Sequence, residues 1–390
     1  MIPFNPNIRA TEAPPVMEAR RWIEGKRFPD DKPLINLSQA APIAPPPEPM
    51  REAMAEMIRT RPEVHLYGPV LGLPALREAV AAKTSSIYRG TVSTGQVAIT
   101  AGCNEAFAAT VATLAEPGDE VLLPTPWYFN HKMWLDMSGI RAVPLPTEAS
   151  LAPDPTTARA LITDRTRAIA LVTPNNPGGV EYTSETLRAF RDLCREIGIA
   201  LIVDETYRDF HGADGPPHGL FVDPNWDDTL IHLYSFSKAY RLTGHRVGAI
   251  LANPRRIAQV EKFLDTVTIC PPQLGQHAAL WGIEHLGDWL ADERREILAR
   301  RRAMVTGLNR LKGWRCLGAG AYFAYVEHPF DIPSPDLAKL MVDKAHVLAL
   351  PGTMFRPEDD PAGARELRFA FANSDTDGLE DLMVRLKALG

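Results

Sequence analysis

One lysine of this chain stands in surroundings suited to chemistry. Lys238 closes the run Ser235-Phe-Ser-Lys238, directly after the apolar stretch Thr229–Tyr234, and Arg246 follows eight residues on within SFSKAYRLTGHRVG. A neutral lysine amine attacks carbonyl carbon and carries protons, and a desolvated, cation-rich setting favours that neutral form. Other short apolar runs also end in polar groups. Val97–Thr100 leads into Ala101-Gly102-Cys103-Asn104, and Glu120–Leu123 into Pro124-Thr-Pro-Trp127-Tyr128. Ala168–Thr173 leads into Pro174-Asn175-Asn176-Pro177-Gly178-Gly179, and Ile199–Val203 into Asp204-Glu205-Thr206-Tyr207. The run ends thus offer a phosphate-type turn, an aromatic pair, an amide, a carboxylate with a phenol, and an amine. Those groups suit a phosphorylated, charged aromatic aldehyde.

The elements that position them follow from the patterning. Leu187, Phe190, Leu193 and Ile197 recur at helical spacing, and Ile199–Val203 then runs apolar throughout, as a strand covered on both faces does. Helical stretches alternate with such runs from about residue 75 to 250, together with a further strand at Val247–Leu251. This predicts an α/β fold with a mostly parallel sheet wrapped by helices on both sides. In an open sheet of that kind, ligands bind beyond the carboxyl ends of the strands, where the polar groups lie. The segment from about 280 to 312 is strongly helical, and a smaller mixed α/β segment follows it. The prolines between Pro42 and Pro49 read as an extended connector.

Bulk properties remove several function classes. The net charge of −6 and the absence of a basic block give no electrostatic reason to expect nucleic acid. Cys103, Cys194, Cys270 and Cys316 form no CxxC pair, so neither a disulfide framework nor a zinc site is expected. No apolar run approaches a membrane span, and the N-terminus has no basic start followed by an apolar core, so a cytoplasmic protein is expected. No GxGxxG follows the first strand and no GxSxG elbow is present, against a dinucleotide-binding dehydrogenase and a serine hydrolase.

The lysine motif, with PNNPGG and DETY upstream of it, resembles the class I/II aminotransferases of pyridoxal-phosphate (PLP) fold type I, aspartate aminotransferase among them. YGPVLGLPALREAV, GAYFAYVE and LRFAFAN resemble further segments of that family, so the likeness runs from about residue 35 to 385. It implies a large domain (46–285) with a mostly parallel seven-stranded sheet sandwiched by helices, and a smaller α/β C-terminal domain (286–390). Residues 1–45 would form an N-terminal arm and part of the small domain. It also implies PLP as cofactor, bound to Lys238 as a Schiff base, and transfer of an amino group from an L-amino acid to a 2-oxo acid. Asp204 would pair with the pyridine nitrogen, and Asn176 and Tyr207 would donate to the phenolic oxygen. The backbone of Gly102, Cys103 and Asn104, with Ser235, Ser237 and Arg246, would hold the phosphate. Tyr67 would reach that phosphate in a neighbouring subunit, which implies a homodimer with shared active sites. Arg368 would bind the substrate α-carboxylate. Tyr128 would stack on the ring, with Trp127 as the competing register. The Asn176–Pro177 bond is expected to be cis.

The chain departs from the family pattern at three points. Ala40 stands where a glycine backbone helps hold the substrate carboxylate. His245 replaces a bulky aromatic. No second arginine for a dicarboxylate side chain is evident. The same apparatus also supports a C–S lyase, because PLP stabilises any α-carbanion. A ligand sensor of this fold would carry a DNA-binding segment ahead of it, and no helix-turn-helix pattern precedes residue 35.

Overall fold

A computed structural model describes residues 2–389. Its main sheet contains β1 (Val97–Thr100), β2 (Glu120–Thr125), β3 (Arg141–Pro146), β4 (Thr166–Val172), β5 (Ala200–Asp204), β6 (Leu230–Ser235) and β7 (Gly248–Leu251). The spatial order is β1-β7-β6-β5-β4-β2-β3, all parallel except β7, which runs antiparallel to both its neighbours. Strands β1, β2, β5, β6 and β7 are buried at every residue, which explains their continuous apolar runs.

The expected strands are present, with ends shifted by one or two residues. Asp204 and Ser235 are therefore the last residues of β5 and β6 rather than the first of the loops. Strand β3 was not anticipated strand by strand. It lies at the sheet edge, alternates in burial, and carries Pro144 and Pro146, which an edge strand tolerates because its missing N–H groups can face away from any partner strand. The proline cluster is extended only in part: Pro47 caps the helix Glu48–Thr60 and Pro49 sits in its first turn, where a missing N–H removes no helical bond. The helix Ser184–Ile197 buries Leu187, Phe190, Leu193 and Cys194, whereas Ile197, its last residue, is 38% exposed.

A second, antiparallel sheet contains β8 (Arg315–Gly320), β9 (Phe323–Glu327), β10 (Leu350–Pro351) and β11 (Glu366–Phe369), in the order β10-β11-β9-β8. The long helix Gly287–Leu308 links the two sheets. Its Leu290 belongs to the core of the main sheet, and its Ile297, Met304 and Leu308 to that of the second. Near the N-terminus Ile35–Asn36 pairs in parallel with Val347–Leu348, and the Leu37 carbonyl accepts from Ala370 N–H. This pairing holds residues 38–41 beside β11. No helix among the described residues is long and apolar enough to cross a membrane.

Beneath the carboxyl ends of β5 and β6, Glu205 is fully buried and takes three donors on one oxygen: the Tyr88 hydroxyl, His218 Nε2 at 3.1 Å and His232 Nε2 at 2.7 Å. Burial pushes this carboxyl up, but the two histidines outweigh it and hold Glu205 well below the ordinary carboxylate range. Removing the acceptor strands all three donors. Glu205→Ala is therefore expected to lower unfolding stability at pH 7 by about 3–5 kcal/mol, as for a broken buried pair. Urea unfolding would measure it, and a loss below about 1 kcal/mol would show the cluster to be energetically idle.

Candidate active site

The polar strand ends converge on one cavity of about 430 Å³. Its one acidic lining residue, among those described, is Asp204, 3% exposed. One carboxylate oxygen accepts from Thr206 N–H at 2.9 Å and Thr206 Oγ1 at 2.7 Å. The other lies 3.2 Å from His131 Nε2, outside the geometry of an aligned hydrogen bond. Burial raises the Asp204 carboxyl, but His131 and the Thr206 donors outweigh it and keep it ionised. His131 is fixed by stacking on Phe107, with ring centroids 3.8 Å apart. The oxygen beside His131 makes no aligned hydrogen bond among the described residues, which leaves it able to accept from a protonated ring nitrogen.

At one end of the cavity lies an anion cup. Gly102 caps the helix Cys103–Ala112 with φ +93°, and a Cβ there would fall 2.2 Å from Arg246 Nη2. Only glycine allows the guanidinium to approach the helix start so closely. The first N–H groups of that helix are free to bind an anion. Arg246 donates to Ser237 Oγ at 3.3 Å and to the Thr243 carbonyl at 3.0 Å. Ser235 Oγ accepts from Ser237 N–H at 3.2 Å.

At the other end is Arg368, 2% exposed. It donates to Asn176 Oδ1 at 3.1 Å and to the Ser38 carbonyl, and its Nε has no partner. Its guanidinium carbon lies 4.9 Å from the Phe355 ring centre and 5.1 Å from that of Phe323. Burial lowers its pKa to about 10, which still leaves it charged at neutral pH. No carboxylate of the described residues is ion-paired with it, so the structural ion pair that would have made it inert is absent. A buried guanidinium without a counter-charge invites a carboxylate ligand.

Lys238 sits between the two arginines, in the single turn Phe236–Ala239. Its amine donates to the Ala40 carbonyl at 2.8 Å. Burial, then the charges of Arg246 and Arg368, lower its pKa to about 8. Position 40 therefore meets the lysine through its backbone. The buried Tyr207 lines the same wall, its ring centre 6.0 Å from the amine. Asn176 lines it too, and the Asn176–Pro177 bond is cis, as expected. The turn is pinned by Asn175, whose Oδ1 accepts from Gly178 N–H at 2.7 Å. Gly179, at φ +70°, lets the turn pass the second sheet, because a Cβ would fall 2.5 Å from Gly320 N.

Tyr128 lines the cavity, its hydroxyl bonded to Asn104 Oδ1 and Asn130 Nδ2. Trp127 does not: it is buried elsewhere, with its N–H on the Phe355 carbonyl. Of the two rings, Tyr128 is the one that faces the cavity. Cys103, Asn104, Ser235, Ser237 and Ala40 also line the cavity. Tyr67 does not: it is 79% exposed and outside the lining. Sequence reasoning passed over His131, Thr206 and the N-terminal helix Pro15–Arg21, which brings Val16, Met17 and Arg20 to the cavity mouth. Thr206 lay within DETY, and His131 three residues after Tyr128, so both were within reach. Nothing in the sequence pattern linked Arg20 to the site.

The family model for class I and II aminotransferases matches residues 32–386. The chain belongs to that family. It is a transaminase. Among curated relatives, the aromatic aminotransferase ISS1 of Arabidopsis thaliana is 30% identical over 76% of this chain and 75% of its own. The arginine–pyruvate transaminase AruH of Pseudomonas aeruginosa is 31% identical over 75% of each chain. Among solved structures, the N-succinyldiaminopimelate aminotransferase of Mycobacterium tuberculosis superposes with a TM-score of 0.89 at 26% identity, covering 100% of both chains. The strand order, the second sheet and the cavity at the strand ends are thus those of an aminotransferase scaffold.

The lysine of this transaminase has a testable signature. A neutral amine reacts with aldehydes and a protonated one does not, so reactivity rises with pH through the pKa. Reductive labelling of Lys238 in the cofactor-free enzyme, followed by mass spectrometry, should show a midpoint near 8. Exposed lysines should respond only around an ordinary pKa of about 10.4. A Lys238 midpoint at that ordinary value would remove the case for a poised amine.

Proposed function

We propose that this aminotransferase binds pyridoxal phosphate on Lys238 and moves an amino group between an L-amino acid and a 2-oxo acid. The observation that carries the reading is a buried amine of lowered pKa between two arginines, each without a carboxylate partner and each facing the same cavity. The residues present fit the cofactor. The cup of Gly102, Cys103, Asn104, Ser235, Ser237 and Arg246 matches a phosphate, and the free oxygen of Asp204 matches a ring nitrogen that keeps its proton. When bound, the cofactor supplies an electron sink for the substrate α-carbon.

The chain's own groups then have distinct tasks. Asp204, held ionised by His131 and Thr206, keeps a proton on the ring nitrogen. Asn176 and Tyr207 would hold the phenolic oxygen, and Tyr128 would pack on the ring face. Arg368 would clamp the α-carboxylate and so aim the α-hydrogen at Lys238. Lys238, whose lowered pKa of about 8 keeps a neutral fraction available near neutral pH, would take and return that proton. The reading includes a large domain of 46–285, a small one of 286–390 and an arm of 1–45, whose Ser38 and Ala40 carbonyls meet Arg368 and Lys238. It also includes a homodimer, in which the exposed Tyr67 serves the phosphate cup of a second copy.

A screen of amino donors against 2-oxoglutarate and pyruvate tests the reading. Lys238→Ala should lose at least about 10³-fold in kcat, the scale of a positioned acid–base group. Arg368→Ala should lower kcat/KM by roughly 10- to 150-fold, the loss of a charged hydrogen-bond clamp. Release of pyruvate and ammonia from a cysteine-type substrate with no 2-oxo acid acceptor would replace transamination with C–S lyase chemistry.

A further inference from the structure

Arg241 follows Lys238 by three residues and is unusual in two ways. Its backbone is left-handed, φ +57°, a conformation that glycine adopts freely and a side chain does not. Its guanidinium reaches across to the long helix and forks Glu293, with Nη2 at 2.7 Å from both carboxylate oxygens and Nε at 3.0 Å from one. Both side chains are about four-fifths buried, at 22% and 20% exposure. Nη1 also lies 3.4 Å from the Pro45 carbonyl, and the guanidinium carbon 5.2 Å from the Trp289 ring centre. Three segments meet at this one side chain. The first is the lysine turn, through the Arg241 N–H on the Lys238 carbonyl at 3.4 Å. The second is the connector 40–47, whose Ala40 carbonyl accepts from the Lys238 amine. The third is the helix that joins the cores of the two sheets.

We propose that the Arg241–Glu293 fork is a positioning pair, tying the lysine turn and the connector to the long helix so that the Lys238 amine stays buried against the Ala40 carbonyl. The backbone conformation argues against idle packing. A glycine would adopt it freely, whereas only a long, forked side chain spans from residue 241 to both Glu293 and Pro45. Arg246, also left-handed at φ +50°, anchors the far end of the same loop, so the segment that follows Lys238 is held by two tethered arginines.

The inference rests on Lys238 being the reactive amine, and the labelling experiment separates the two ideas. The variants are Arg241→Gly, which keeps the backbone conformation and removes the fork, and Glu293→Gln, which keeps one hydrogen bond and the fold. Arg241→Lys, which offers a point charge without the fork, should restore the behaviour only in part. Arg246 and Arg368, the charges facing Lys238, remain in every variant. In Arg241→Gly the Lys238 labelling midpoint should rise by about one pH unit toward the ordinary lysine value, and kcat should fall about 10- to 100-fold while KM changes little. Glu293→Gln should shift both in the same direction by less. Thermal stability of Arg241→Gly should fall little, because relief of the backbone offsets the lost pair. An unchanged midpoint in folded Arg241→Gly and Glu293→Gln, whatever happens to stability, would make the fork merely structural and overturn the proposal. An ordinary midpoint in the wild type would instead defeat the reading of Lys238 itself.

Discussion

Positive charge without local compensation organises this molecule. Arg246 and Arg368 face a common cavity from opposite ends, Lys238 lies between them, and none of the three forms an ion pair with a carboxylate of the described residues. Arg246 is exposed, but taking a group such as Arg368 out of water is costly unless something negative arrives. The fold therefore holds its cations at fixed positions on main-chain carbonyls and neutral side chains: Thr243 and Ser237 for Arg246, Ser38 and Asn176 for Arg368, Ala40 for Lys238. These acceptors orient a cation without cancelling it. On the proposed reading, the anions that complete the site would be a cofactor phosphate and a substrate carboxylate. The same arrangement lowers the Lys238 pKa, since two neighbouring cations and burial disfavour a third charge.

The single strong acid in the cavity occupies the position where its charge is of use. Asp204 ends β5, flanked in register by Val172 of β4 and Leu233 of β6. Left alone there it would become neutral. Thr206 gives it two hydrogen bonds on one oxygen, and His131, braced by Phe107, sets a positive edge near the other. Ionisation is thus maintained by groups from the loop after β5 and the helix after β2, while Glu205, the next residue, points into a separate buried cluster and takes no part. Adjacent carboxylates in one chain segment are given opposite duties by the alternation of an extended backbone.

Much of this was legible because strand-end chemistry is local. Asp204, Lys238, Asn176 and the Gly102 turn each follow an apolar run within a residue or two, so pattern and motif coincide. Other features depend on distance. Nothing near Trp127 in the sequence says that its backbone N–H is taken by the Phe355 carbonyl and that its ring is buried away from the cavity that Tyr128 lines. Strand β3 was hidden because an edge strand alternates and tolerates proline, weakening the signal that revealed the buried strands. Arg20 and Glu293 gain their meaning only from segments far away in the chain. The contact that position 40 makes with Lys238 is through its carbonyl, which every residue type possesses, so no side-chain pattern announced it.

That contact shows how the two sheets are made to share one site. The connector from residue 37 to 47 leaves β11, where Leu37 accepts from Ala370, passes its Ser38 carbonyl to Arg368 and its Ala40 carbonyl to Lys238, and reaches Arg241 at Pro45. Arg368 on the second sheet and the Lys238 amine on the first are thereby registered through one stretch of main chain. Proton transfer between an α-carbon and a lysine tolerates little misplacement, and an error of about 1 Å is enough to cost roughly 10²-fold in rate. Side chains on separate sheets would accumulate such errors from any relative shift of the two cores. A shared strip of backbone, held at one end by sheet pairing and near the other by a forked ion pair, confines that shift to the flexibility of about ten residues.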